Sequence, residues 1–99
     1  MFVEIWSFIA NNQYLKKART IFEQGILQDP DYPMYYHNLA CADAEGNDLK
    51  SARKHLADAF ARRSNMNAGE KMPDPARDDS FLAHRDNKEF WDFVLSFKQ

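Results

Sequence analysis

Sliding the chain along itself by 34 residues lays Leu15-Lys16-Lys17-Ala18-Arg19 on Leu49-Lys50-Ser51-Ala52-Arg53. The register holds on both sides. Asn12 falls on Gly46, Phe22 on Leu56, Gly25 on Ala59, Ile26 on Phe60, Phe2 on Tyr36 and Ile5 on Leu39, with small residues on small and large on large. A period of this length marks a helix-turn-helix unit that cannot bury its apolar face alone and stacks on a copy of itself. Leu15, Ala18, Phe22, Gly25 and Ile26 recur at three- and four-residue steps, so they share one face of a helix, and Leu49, Ala52, Leu56, Ala59 and Phe60 repeat the pattern.

Each of these helices follows another helical stretch, over residues 2–11 and 34–45, with the turn-formers Asn12-Gln13 and Gly46-Asn47 between partners. Ala18, Gly25, Ala40, Ala52 and Ala59 are small enough to let the two helices of a hairpin approach closely, and Asp29-Pro30-Asp31-Tyr32-Pro33 separates one hairpin from the next. The periodicity lapses after Arg63 into a polar, turn-rich stretch, which predicts a flexible connector over 65–77. It returns in the last helix, where Phe90, Phe93, Val94 and Phe97 form one stripe, widened by Trp91 and Leu95. The expected fold is all-α: units over residues 1–32 and 33–64, then a C-terminal cap over 78–99 made of a short helix and a longer one, all within one domain.

These residues resemble the tetratricopeptide repeat (TPR) family. The first unit reads Phe2, Ile5, Trp6, Ile9, Ala18, Phe22, Gly25 and Pro30 at that pattern's positions, and the second reads Tyr36, Leu39, Ala40, Ala52, Leu56 and Ala59, with Asp43 where a large aromatic is usual. Asp78-Asp79-Ser80-Phe81, His84-Arg85-Asp86 and Phe90 are similar to the tail that follows the last repeat in many bacterial members. The resemblance implies a right-handed helix-turn-helix solenoid whose first helices line a concave groove for a peptide or protein. It maps that groove onto Val3, Ser7, Ala10 and Asn11 of the first unit and Met34, His37, Asn38, Cys41, Ala44 and Glu45 of the second. Asn38 matches an Asn that chaperone-binding members use to hold a peptide carboxylate, but Val3 and Ser7 replace the other clamp residues, and without a cation a carboxylate gains little. Trp6 with Ala18-Arg19-Thr20-Ile21-Phe22-Glu23 also resembles the half-a-TPR family, which implies an RNA-processing scaffold as an alternative.

The remaining composition narrows the function classes. At 99 residues, 44% apolar and 14% aromatic, the chain supports one modest core. Thirteen basic against 15 acidic side chains leave a charge of −2, so no strong positive field points to nucleic acid or to an anionic membrane surface. Lys16, Lys17, Arg19, Lys50, Arg53, Lys54, Arg62 and Arg63 gather on second helices, but residues 1–66 hold eight basic and eight acidic side chains, which describes a solvated face. One cysteine, Cys41, forbids an intrachain disulfide and suits a reducing compartment, so a cytoplasmic location is expected. The apolar start carries Glu4 and turns polar at Asn11, too short for a membrane span and without the basic region of a signal peptide.

Chemistry is sparse. No paired-acid, phosphate-loop or nucleophile-elbow pattern occurs, so no enzyme and no cofactor are expected. His37 and Cys41 stand four apart on one helix, but a metal needs further ligands that nothing nearby in the chain supplies, so no metal is expected. His84 takes a Leu-like tail position and is expected to pack with its ring nitrogen bonded or wet. Phe2, Val3, Ile5, Trp6, Phe8 and Ile9 surround the first helix with apolar surface that one hairpin partner cannot cover. Phe2, Trp6 and Ile9 are therefore interface candidates, toward upstream repeats, a second copy of the chain, the C-terminal helix folding back or another protein. Together these features predict a non-catalytic interaction or scaffold module, with homo-oligomerisation through the first helix as the competing reading.

Overall fold

The structure, a computed structural model, describes residues 2–98, with side chains over 13–97. Four α-helices follow one another, α1 (Phe2–Gln28), α2 (Pro33–Glu45), α3 (Leu49–Ala61) and α4 (Lys88–Lys98), with 3₁₀ turns at Arg63–Asn65, Pro75–Arg77 and Asp79–His84. No strand occurs among the described residues.

The expected hairpin α2–α3 forms, and its turn shows what a break requires here. The Gly46 N–H bonds back to Ala42 O at 3.0 Å, Asn47 takes a left-handed φ of 63°, and the Asp48 carboxylate accepts the Ser51 N–H at 3.1 Å as the N-cap of α3. At the corresponding positions of the first unit stand Asn12, Gln13 and Tyr14. Gln resists a left-handed backbone and Tyr has no oxygen placed to cap a helix, while neither Gly nor Pro interrupts the run. The turn expected at Asn12-Gln13 is accordingly absent, and residues 2–28 form one helix of 27 residues in place of a first hairpin. That helix ends where expected. Asp29 N–H returns to Gly25 O at 2.8 Å, and Pro33 opens α2 at its first turn.

Small residues allow the close crossings. Ala40, Ala44, Ala52 and Leu56 have at most 1% of their surface exposed and form the core with Phe81, Phe90 and Val94 from the C-terminal segment. At the α1–α2 contact the Tyr35 ring lies against Gly25 so closely that a Cβ there would sit 2.5 Å from it. The cap follows the expected order, a short 3₁₀ segment at Asp79–His84 and then α4, which Asn87 caps by accepting the Phe90 N–H at 3.0 Å. Its stripe is narrower than the pattern suggests. Phe90 and Val94 are buried and Phe97 meets Phe60 at 5.3 Å, whereas Phe93 lies under the Arg53 guanidinium and Leu95 is exposed. The connector, expected to be flexible, is tethered: Asn65 donates to Asp31 O at 3.0 Å and Tyr32 donates to the Glu70 carboxylate at 2.8 Å.

Asp43 occupies the position where the repeat pattern has an aromatic, and it has no exposed surface. Its Oδ1 accepts from Arg19 of α1 at 2.6 Å and its Oδ2 accepts from His55 Nδ1 of α3 at 2.6 Å, so one carboxylate joins three helices. Arg19, expected on a solvated face, is thus an internal partner. Its neighbours in the basic set behave similarly: Arg62 stacks 4.3 Å above the Tyr36 ring and donates to Pro30 O, and Arg63 donates to Phe60 O.

Two measurements test this account. Arg19→Ala leaves a buried carboxylate half-satisfied. The Arg19 side chain is 35% exposed, so the expected loss lies between that of a dry pair and a surface pair, at about 2 kcal/mol in urea denaturation. Asp48→Ala is expected to cost about 1 kcal/mol through loss of the α3 cap. The bonds from Ser51 hold the Asp48 carboxyl below its ordinary value of 3.8. That contribution is therefore complete above the ordinary value and lost as the pH falls through the folded one, so wild type and Asp48→Ala converge in stability at low pH.

Candidate functional site

Met34, His37, Asn38, Cys41 and Glu45 recur at helical spacing along α2, as the groove assignment requires. The chain's own C-terminal segment lies across this face. Phe81 is buried in the core beside α2, stacking on Phe90 at 5.9 Å, and His84 Nε2 bonds to Ala44 O at 2.8 Å in the last turn of α2. Ala44 O also accepts the Asn47 N–H at 3.1 Å, so the His84 bond is a second one to that carbonyl, and of the two states expected for the His84 ring nitrogen it is the bonded one that forms. Trp91 Nε1 donates in turn to His84 O at 2.9 Å, which fixes the segment to α4.

Under this cover lie three polar side chains. Asp78 is the N-cap of the 3₁₀ segment: its Oδ1 accepts the Ser80 N–H at 3.0 Å, which aims Oδ2 at α2. Asp78 Oδ2 stands 3.2 Å from His37 Nε2 and 3.4 Å from Cys41 Sγ, and those two atoms are 3.5 Å apart. His37 is 2% exposed and the Asp78 side chain 30%, so solvent reaches the cluster from the Asp78 side. His37 Nδ1 is buried without a partner.

Burial sets the electrostatics. It lowers the His37 pKa against the opposing pull of the Asp78 bond and charge. It pushes the Cys41 thiol up to about 12, with the Asp78 charge adding to the effect. For Asp78 burial acts upward, but the bonds from Ser80, His37 and Cys41 together outweigh it and hold the carboxyl below its usual range. The arrangement is not a relay. In a nucleophile–base–carboxylate chain the thiol and the carboxylate engage different ring nitrogens, whereas here both face Nε2. All three donor atoms converge on one point.

This placement corrects two expectations. His37, read as lining an open groove, is buried inside the chain, and beside His37 and Cys41, where neither a third nor a fourth donor was expected, the fold brings a third polar group, Asp78. Met34, Asn38 and Cys41 are half-buried, and Glu45 is exposed. The other expected groove residues, Val3, Ser7, Ala10 and Asn11, and the interface residues Phe2, Trp6 and Ile9 have side chains outside the described residues. Neither Asp78 nor Asp43 is among the site or core residues that the repeat pattern predicts. For Asp43 a signal exists, because it continues the core spacing of Tyr36, Leu39 and Ala40, where an acid requires a partner.

Comparison with protein-family models, with curated proteins and with solved structures finds no match for this chain. Among the described residues no helix is long and apolar enough to cross a membrane.

If the C-terminal segment covers α2 as described, Phe81→Ala should lower stability by about 3–5 kcal/mol. In the fraction that remains folded, a maleimide in the presence of EDTA should label Cys41 faster than in the wild type.

Proposed function

We propose that this protein is a non-catalytic, TPR-type interaction module that docks another protein along α1. Helix α1 carries the reading. Its 27 residues span about 40 Å, whereas α2 and α3, at 13 residues each, span about 20 Å and cannot flank its full length. The part that outruns them holds the apolar run of residues 2–9, and beyond it Tyr14 and Ile21, one above the other on the helix, are 67% and 63% exposed. An apolar strip on a helix favours a partner that removes it from water.

The groove of α2 draws less support as the binding surface, because the segment around Asp78 and Phe81 already lies on it. An RNA scaffold also draws less support, since the guanidinium groups of Arg19, Arg53, Arg62 and Arg63 are directed at Asp43, Glu89, Pro30 and Phe60 within the chain. The convergence of Cys41 and Asp78 on a single nitrogen favours a non-catalytic module over a thiol enzyme.

Light scattering behind size-exclusion chromatography over a tenfold concentration range separates the two forms of the reading. A dimer that Ile21→Glu dissolves assigns α1 to self-association. A monomer assigns it to a different protein, and a photo-crosslinker at Ile21 should then capture that protein more strongly than one at Lys71. Ile21→Glu itself should change stability by no more than about 0.5 kcal/mol. A monomer that gives equal capture from both positions overturns the reading.

A further inference from the structure

The convergence of His37, Cys41 and Asp78 has a specific metric. A tetrahedral zinc ion holds sulfur at about 2.3 Å and nitrogen or oxygen at about 2.0–2.1 Å, so its ligand atoms stand about 3.5 Å apart along N–S and S–O edges and about 3.4 Å apart along an N–O edge. The observed separations are 3.5 Å for His37 Nε2 to Cys41 Sγ, 3.4 Å for Cys41 Sγ to Asp78 Oδ2, and 3.2 Å for His37 Nε2 to Asp78 Oδ2. The last is at the long end of the N–H···O range and within about 0.2 Å of the tetrahedral edge, so the three atoms, hydrogen-bonded in the metal-free fold, need little movement to take an ion. From this triangle we infer that His37 Nε2, Cys41 Sγ and Asp78 Oδ2 bind a zinc-class divalent cation, with water at the fourth corner.

The fold supplies each requirement of such a site. His37 and Cys41 are one helical turn apart on α2, so their donor atoms share a face without loop strain. Asp78 arrives from the C-terminal segment already oriented, because its second oxygen is held by the Ser80 N–H. A thiolate and a carboxylate together balance the two charges of the ion, which lets it sit in a mostly buried pocket without an uncompensated charge. The thiolate selects zinc or cobalt over magnesium and calcium, which prefer oxygen ligands alone. On binding, Cys41 releases its proton to solvent, and the single His37 ring proton, which bonds Asp78 from Nε2 in the metal-free fold, moves to Nδ1 and leaves the Nε2 lone pair for the ion. Nδ1 meets no acceptor in the fold. The expected affinity is therefore about 10- to 100-fold below that of a site whose histidine is backed by an outer carboxylate.

An ion at this position would clip residues 74–84 onto α2, a role independent of any docking along α1. The test uses the full chain, stripped with a chelator and titrated with Co(II) alone. One equivalent should produce a sulfur-to-cobalt charge-transfer band and intense visible bands of tetrahedral cobalt, both removed by one equivalent of Zn(II), while Mg(II) and Ca(II) leave them unchanged. Zn(II) should also raise the Tm. Cys41→Ser should abolish the charge-transfer band. Asp78→Asn, which keeps an oxygen for the Ser80 N–H, should weaken binding at least tenfold, and Asp79→Asn should bind as the wild type does. Circular dichroism selects variants that remain folded, so the result does not depend on a His37 substitution surviving. The inference is overturned if the folded wild type takes up no cobalt, or if Cys41→Ser and Asp78→Asn bind it as tightly as the wild type.

Discussion

A carboxylate with no contact with water has to be matched on each oxygen, and Asp43 meets that demand by drawing one partner from each neighbouring helix. Arg19 approaches from α1 and His55 from α3, so the three helices cannot shift past one another without leaving a buried charge unpaired. The interaction specifies an arrangement more than it adds net stability. The alanines around it let α2 and α3 approach closely, and close approach alone would tolerate several registers; the two 2.6 Å bonds select one.

Everything C-terminal to α3 builds on that hairpin. Phe81, Phe90 and Val94 complete the core between α2 and α3, and the chain can reach them because the connector is pinned at residues 30–32 on its way back. The same return path brings Asp78 to His37 and Cys41. Core and polar cluster are thus two results of one event, the folding of residues 74–84 onto α2. This also decides which surface stays available. The His37–Cys41 face of α2 is occupied from within, and the most exposed large apolar side chains among the described residues are Tyr14, Ile21 and Leu27 of α1, followed by Leu95 and Leu82 of the C-terminal segment.

Much of the architecture could be read directly. The helical periods of α2 and α3, the stop at Pro30 to Pro33, the Gly46-Asn47 turn and the last helix all follow from local preferences that act within a few residues, and such preferences are visible in any sequence. The first hairpin, which the 34-residue period predicts, does not form, and the reason is physical. The 34-residue match compares residue size, and size agrees across both copies, but a turn depends on one residue able to take a left-handed backbone and one able to cap the next helix. Asn47 and Asp48 have those abilities, and Gln13 and Tyr14 do not. The cluster was half legible: the helical spacing puts His37 and Cys41 on one face, yet nothing local connects them with an aspartate 37 residues beyond Cys41.

The sequence by itself determined that this chain is helical, which faces of its helices are apolar, and where a helix can stop, because each of these depends on backbone preference and on spacing along a single element. Tertiary structure alone decided that Arg19 would pair with the buried Asp43, that the tail would cover α2, and that Asp78 would come to stand beside His37 and Cys41. Those outcomes depend on the energy of burying polar groups, and a polar group's partner can come from any element that packing brings within about 3 Å.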